Sequence, residues 1–388
     1  MLKFFDKKPT SYLGIDLGTG SIKLVELESA DGRPRLVTYG MIEIETDVSH
    51  EDSKTDRAKA ASVLRSLVDR TGARSRVAVA ALPNFSVFSS VISLPKLDEK
   101  KLAEAVTWEA KKFVPMPIEN VVLDWKILEE TKIEEGTAPV PEEGSKVEPA
   151  GGENNKAEDR NDVLKEQRLA KCKAVVRVLL TAAPKHLVER YVAIFSMAGL
   201  NLLSLETESF ALSRSLVGND PSATLIVDVG SITTDLTLVE NRIPVLARSI
   251  DVGGKTITKA IADTLGVSPE RAEQFKRDVG IAASGTPGGE EGIAKIINQS
   301  FGPVVNEMEY TLDLSKGSSK SRVEKILLTG GSSFLPSLAQ YLTDSLSIKT
   351  FVANAWARVS YPKDLQKSLE NIGPRMSVAI GLAMREIE

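Results

Sequence analysis

A short pattern occurs twice in the chain, 212 residues apart. Asp16-Leu17-Gly18-Thr19 and Asp228-Val229-Gly230-Ser231 both read Asp-x-Gly followed by a hydroxyl residue, and the same offset pairs Glu28 with Glu240. Each copy follows a short apolar run and precedes a second one. A repeat at that distance is domain-sized, so it predicts two related domains, each presenting a hairpin with Asp and Gly at its tip. One such turn alone is most often an ordinary hairpin. Two at equivalent positions point to a shared ligand. Glycine lets backbone N–H groups come close to a phosphate, here at Gly18, Gly20 and Gly230. The hydroxyls of Thr19, Ser21, Ser231 and Thr233 add donors, and Lys23 neutralises phosphate charge. Asp16 and Asp228 would repel each other unless a hydrated Mg²⁺ lay between them, and Mg²⁺ favours few protein carboxylates plus water and phosphate. A third element, Leu327-Leu328-Thr329-Gly330-Gly331-Ser332-Ser333, reads as a buried strand, two glycines, and a helix capped by Ser332 or Ser333. Such a turn offers flat backbone and a helix N-terminus to an anion.

The remaining elements follow from periodicity and breakers. Strands are expected at 12–16, 21–28, 36–44 (with Gly40 as a bulge), 77–82, 87–94, 121–128, 174–183, 223–228, 235–240, 244–251 and 325–328. Helices are expected at 55–70, 98–113, 185–198, 255–265, 269–277, 289–314, 335–345 and 374–385, the second stopping before Pro115. Between about Thr131 and Lys171 the composition turns to Glu, Lys, Gly, Pro and Asn. Such a stretch buries too little to offset its ordering entropy and is expected to be disordered, with a helical turn or two at 161–171.

With 388 residues, two or three domains are expected. A net charge of −4 disfavours nucleic acid as the main partner. Cys172 is alone, which excludes an internal disulfide framework, and the two histidines, His50 and His186, lie far apart and outside any catalytic or metal motif. No run approaches the roughly 18 apolar residues of a membrane span, and the start lacks the apolar core of a signal peptide. A cytoplasmic protein is expected. Leu2, Phe4 and Phe5 among lysines read as a frayed terminus or a weak membrane or partner contact.

Asp16-x-Gly18-Thr19-Gly20-x-x-Lys23, Asp228-x-Gly230-x-x-Thr233-x-Asp235 and Thr329-Gly330-Gly331-Ser332 resemble the two phosphate loops and the adenosine motif of the actin-like ATPase superfamily. Gly253-Gly254-x-x-Ile257-Thr258 is similar to its FtsA/PilM family. So are Leu13-Gly14-Ile15-Asp16, the stretch from Leu82-Pro83 to Leu94-Pro95, Glu109 to Pro115, and Glu208-Ser209-Phe210-Ala211-Leu212. The PilM side of that family fits best, over almost the whole chain except the insertion. The resemblance implies an α/β, actin-like (ribonuclease H-like) fold of duplicated domains with an inserted 1C-type subdomain. Residues 1–83, about 200–220 and 374–388 would form the first lobe (1A). Residues 84–200 would form the 1C-like module, and 221–373 the second lobe (2A/2B). It further implies ATP and Mg²⁺ as cofactors, with Asp16 and Asp228 holding the metal through water and Gly253, Gly254, Gly330, Gly331 and Ser332 near the nucleotide. Glu273 and Lys276 look like the ribose and adenine contacts; read as residues alone, they are equally a solvated ion pair.

The resemblance also implies a role as an ATP-binding scaffold of the type IV pilus platform. The protein would be recruited to the inner membrane by the N-terminal cytoplasmic tail of PilN, with other platform proteins and motor ATPases as further partners. The chain ends inside an apparent domain helix, without the membrane-targeting tail of FtsA. Two features depart from the superfamily. Ile232 stands where a glycine is usual, and the interdomain stretch offers Glu206 as a water-orienting base, while Thr207 and Glu208 read as caps of the next helix. Binding is therefore a firmer expectation than hydrolysis. A small-molecule kinase, a filament-forming FtsA-like or actin-like protein, and a type II secretion relative are the alternatives.

Overall fold

The computed structural model describes residues 10–44, 53–132, 174–281, 290–318 and 322–387. Most of the predicted insertion, its 161–171 turn and the apolar start of the chain lie outside these residues. The chain divides into two compact units, Met1–Val87 with Pro184–Glu388, and Phe88–Ala183.

The larger unit holds two five-stranded sheets of the same design. In the first, β1 (Ser11–Leu17), β2 (Ser21–Ala30) and β3 (Arg33–Glu43) form an antiparallel meander, and β4 (Val77–Leu82) and β8 (Asn201–Thr207) continue it in parallel from β1, giving the order β3-β2-β1-β4-β8. In the second, β9 (Thr224–Val229), β10 (Thr234–Glu240) and β11 (Ile243–Ile250) repeat the meander. There β12 (Lys325–Thr329) and β13 (Thr350–Val352) take the parallel places, giving β11-β10-β9-β12-β13. The repeated sequence pattern is thus a repeated sheet topology. Asp16 and Asp228 occupy matching places near the ends of β1 and β9.

Helices cover the sheets where their apolar stripes require it. The helix α1 (Lys54–Thr71) starts at Ser53, whose hydroxyl accepts from the Asp56 N–H, and ends at Gly72 in the left-handed region. It packs against β3 and against α3 (Lys185–Met197). Gly40 is in register with Leu24, and the irregularity of that pair lies at Glu26/Leu27. The expected bulge at Gly40 is therefore corrected: a Cβ there would collide with Thr71, so the missing side chain is what admits α1. Beyond the second meander, α5 (Gly254–Leu265), α6 (Pro269–Val279) and α7 (Glu290–Ser318) enclose a core that includes Leu236, Ile261, Ile297, Phe301 and Leu328.

Two elements connect the sheets. A helical segment, α4 (Glu208–Leu212), runs on as a π-helical turn over Ser213–Val217. The last helix, α9 (Gln366–Met384), is longer than the expected 374–385, because Pro374 sits inside it. Proline gives up one helical N–H there, but its carbonyl accepts from the Gly330 N–H at 3.0 Å. Val79, Ala211, Leu212, Ile226, Val378 and Leu382 form a buried cluster between the sheets. Backbone meets backbone around it: a Cβ at Gly14 would collide with the Ala379 carbonyl oxygen, and one at Gly381 with that of Ala211.

The smaller unit is a three-stranded sheet, β5 (Phe88–Pro95), β7 (Ala174–Pro184) and β6 (Val121–Lys132), in the order β5-β7-β6. Its helix α2 (Glu99–Phe113) is capped by Asp98, which accepts from the Lys101 N–H at 3.0 Å. Leu102, Val106 and Ala110 of α2 pack with Ile92, Leu94, Val178 and Leu180 of the sheet. No helix among the described residues is long and apolar enough to cross a membrane.

Candidate functional site

The turns β1–β2 and β9–β10 meet tip to tip in the larger unit. The Thr19 and Ser231 hydroxyls lie 3.5 Å apart, and these residues are separated by the same 212 positions as the aspartates. Gly18 N–H donates to the Ser21 carbonyl at 3.1 Å and Gly230 N–H to the Thr233 carbonyl at 2.9 Å, so both turns close in the same way. Between them opens a cavity of about 550 Å³. From the first hairpin it is lined by Asp16, Gly18, Thr19, Gly20, Ser21 and Lys23, and from the second by Asp228, Gly230, Ser231 and Thr233. Gly254, Glu273, Lys276, Gly330, Gly331 and Ser332 complete the predicted set on its walls.

Two predicted residues are not on those walls. Gly253 lies behind the second hairpin: a Cβ there would collide with the backbone of Ser231 and Ile232. Its neighbours tie helix α5 to the turn, Gly254 N–H donating to the Gly230 carbonyl and Lys255 N–H to that of Ser231. Glu206 is bound by Arg214 through both carboxylate oxygens, at 2.7 and 2.9 Å, with Arg385 3.5 Å away. It braces the segment before α4 and does not line the cavity. The carboxylate that does line the cavity is Glu208, expected only as a cap. No side-chain bond caps α4; the Glu208 carboxylate instead accepts the Asn84 N–H at 3.0 Å.

The electrostatics are set by burial of closely spaced acids. Burial, then the charges of Asp235 and Asp16, push the Glu208 carboxyl well above the usual range. Burial, then Asp235, push Asp228 up to about 7, against the pull of Lys23. Asp235 rises to about 6, chiefly through burial, although the Ser249 and Thr233 hydroxyls hold it down. Burial by itself would lower the Lys23 pKa; the charge and hydrogen bond of Asp16, 2.8 Å away, outweigh it and raise the pKa.

At the other end, Glu273 and Lys276 are a partly buried network. The Lys276 ammonium donates to Glu273 at 2.6 Å, to the Thr258 hydroxyl at 2.9 Å and to the Gly254 carbonyl at 3.0 Å. Burial lowers the Lys276 pKa. The lysine is 6% exposed, which sets aside the solvated-pair reading. Gly330 has φ +85°, and a Cβ there would strike Asp228, so glycine is required on both steric and conformational grounds. The expected helix start at Ser332 or Ser333 is corrected: turns occupy this stretch, and α8 (Leu338–Leu346) begins later. The Ser333 hydroxyl bonds the Gly330 carbonyl, and the Pro336 carbonyl accepts from Ile281 N–H, so these groups serve the turn. Sequence reasoning quoted Asp235 in the second loop's motif without giving it a ligand role and left out Glu43 and Arg375, although all three line the cavity. Asp235 was visible two residues after Thr233 on an alternating strand; Arg375, in the middle of an apolar helix, carried no local signal.

The family model described as type IV pilus assembly protein PilM matches residues 14–171 and 162–387. The chain belongs to the PilM family of type IV pilus assembly proteins. A solved "PilM-PilN type IV pilus biogenesis complex" is similar at 27% identity and TM-score 0.76, covering 97% of this chain and 98% of that one. The ethanolamine utilization protein EutJ from Carboxydothermus hydrogenoformans is similar at 16% identity and TM-score 0.51, over 97% and 90% of the two chains. An MreB of Spiroplasma citri bound to AMPPNP is similar at 13% identity and TM-score 0.50, over 97% and 95%. The last two likenesses concern the fold alone, and with the PilM match they make this a duplicated actin-like fold.

Proposed function

We propose that this PilM-family protein is an ATP-binding scaffold whose nucleotide state sets its affinity for a PilN-type N-terminal tail. The observation that carries the reading is the single cavity on which both Asp-Gly hairpins, Gly330-Gly331 and the Glu273–Lys276 network converge. The hairpin N–H groups and Lys23 would hold the phosphates, and the Glu273–Lys276 end the ribose and adenine. The residues fit Mg²⁺. Asp228 is raised by burial and then by neighbouring acids, and a divalent cation would offset both by favouring the charged carboxylate. Among the described residues no set of three candidate ligands converges into a protein-only cage, which suits an ion held through water and phosphate. When bound, the ion would neutralise phosphate charge.

Glu208 replaces Glu206 in this reading as the group that would orient water in a slow hydrolysis. A carboxyl raised by burial keeps its proton more readily than an ordinary one, and a neighbouring cation would favour its charged form. The lobes are proposed as first delimited: 1–83 with about 200–220 and 374–388, the 1C-type module within 84–200, and 221–373. Recruitment by the PilN-type partner would place the protein at the inner membrane; the likeness to the PilM-PilN complex supports that reading.

Titration of the purified chain with ATP, with and without Mg²⁺, tests it, followed by titration with the tail peptide. Asp16→Ala and Asp228→Ala are expected to weaken Mg²⁺-dependent binding about tenfold or more. Coupling is reciprocal, so ATP that tightens the peptide must itself be tightened by the same factor. Peptide affinity identical with and without ATP would sink the gating; unaltered ATP binding in both variants would sink the site.

A further inference from the structure

The smaller unit ends its sheet on β6, which pairs with β7 on one side and has no second strand neighbour among the described residues. Such an edge presents a row of N–H and C=O groups that pair readily with another strand. Residues 121–128 contain neither proline nor glycine. Val122, Asp124, Lys126 and Ile127 are exposed, the two apolar ones at 44% and 41%. The Trp125 N–H donates to the side chain of Asp124 at 2.9 Å, a local substitute for a strand partner. An N–H bonded to a neighbouring side chain is one that suits an outward-facing position, so we take Trp125, and with the alternation of a strand Leu123 and Ile127, as the residues whose backbone groups face the open edge.

We propose that β6 pairs antiparallel with β6 of a second copy of this chain, on a two-fold axis at Trp125. The charges choose both the partner and the register. With Trp125 opposite its own copy, Asp124 faces Lys126 twice, on the exposed side of the sheet, and Leu123 faces Ile127. Slipping to the next hydrogen-bonding register either way places Asp124 against Asp124 or Lys126 against Lys126, and like charges directly opposite are destabilising. An odd slip would turn the face carrying Val121, Leu123 and Trp125, which packs with α2, out of line with its partner. An isologous contact demands a self-complementary surface, and an acid and a base two residues apart on an edge strand are the smallest version of one. The two sheets would join into one of six strands, each Asp124 leaving the Trp125 N–H for the Lys126 across the axis.

Sedimentation equilibrium of the full chain, with the variants Asp124→Lys and Lys126→Asp, tests this. The wild-type chain is expected to dimerise reversibly. Each single reversal turns two attractive pairs repulsive and should raise the dissociation constant about tenfold or more. The double variant should recover it. An equimolar mixture of the two single variants should form a heterodimer, because each supplies the charges the other lacks; this recovery excludes misfolding as the cause of the loss. A wild-type chain monomeric at all concentrations, including one that captures a foreign extended peptide instead, overturns the proposal. So does a dimer indifferent to both reversals.

Discussion

Asp16, Glu208, Asp228 and Asp235 crowd the hairpin end of the cavity, with Lys23 among them. A carboxyl raised in the folded state binds more protons there than in the unfolded chain, so stability falls as pH rises between the two pKa values. For Asp228 that window runs from the ordinary 3.8 to about 7. Its cost is absent below the window and complete above it, on the order of 4 kcal/mol. Asp220, lowered to about 2 by the Lys325 hydrogen bond, acts oppositely but only at lower pH. Ligand-free Asp228→Asn should therefore melt higher than wild type at pH 8 and much closer to it at pH 5; equal differences at both values would contradict the charge-crowding account. The acids near α4 separate by role. Glu208→Gln should lower any turnover at least about tenfold while keeping nucleotide binding. Glu206→Gln should leave turnover nearly intact and cost about 1–3 kcal/mol, because Arg214 and Arg385 lose the carboxylate charge they share. Single-turnover assays beside urea melts distinguish the two. Local pattern could not rank these residues, since they sit two apart at the junction of β8 and α4. Only the Arg214 bond and the approach of Asn84 decide which one enters the cavity.

At the scale of elements, strands were legible because alternation and apolar runs report burial directly, and the paired hairpins because glycine and aspartate recur at one offset. Ends and contacts were less so. The stretch after Gly331 reads as a helix start, yet its backbone groups serve Gly330 and Ile281; Pro374 reads as a start and lies inside α9. In both cases partners distant in sequence satisfy the groups that a local reading counts as unpaired. Glycines divide the same way. Gly14→Ala is expected to cost at least about 1–3 kcal/mol, since the new methyl meets the Ala379 backbone, which cannot rotate away. Gly292→Ala, in α7 with open space around it, should gain about 0.5–1 kcal/mol. Denaturant midpoints at constant slope would check both; a neutral Gly14→Ala would mean that α9 shifts off β1 easily.

Across the whole molecule, the cavity draws on residues from both sheets and from α9, all within the larger unit. Nucleotide at about 100 times its dissociation constant should add roughly 2.7 kcal/mol to the unfolding of that unit. Hydrogen exchange is expected to slow at 16–23, 228–235 and 330–332 together, and uniform slowing over 88–183 instead would argue against the cavity as the binding place. The sequence by itself determined the duplication, the α/β class, the family and nearly all of the cavity's glycines, hydroxyls and aspartates, because phosphate-sized turns need particular residue types at short spacing. Tertiary structure alone decided that Glu208 and not Glu206 lines the cavity, that Gly253 supports the hairpin from behind, and that Arg375 reaches the wall. Those outcomes depend on which groups meet across separations from eight residues to more than a hundred, and burial, charge crowding and backbone contact act through space, where local spacing carries no record of them.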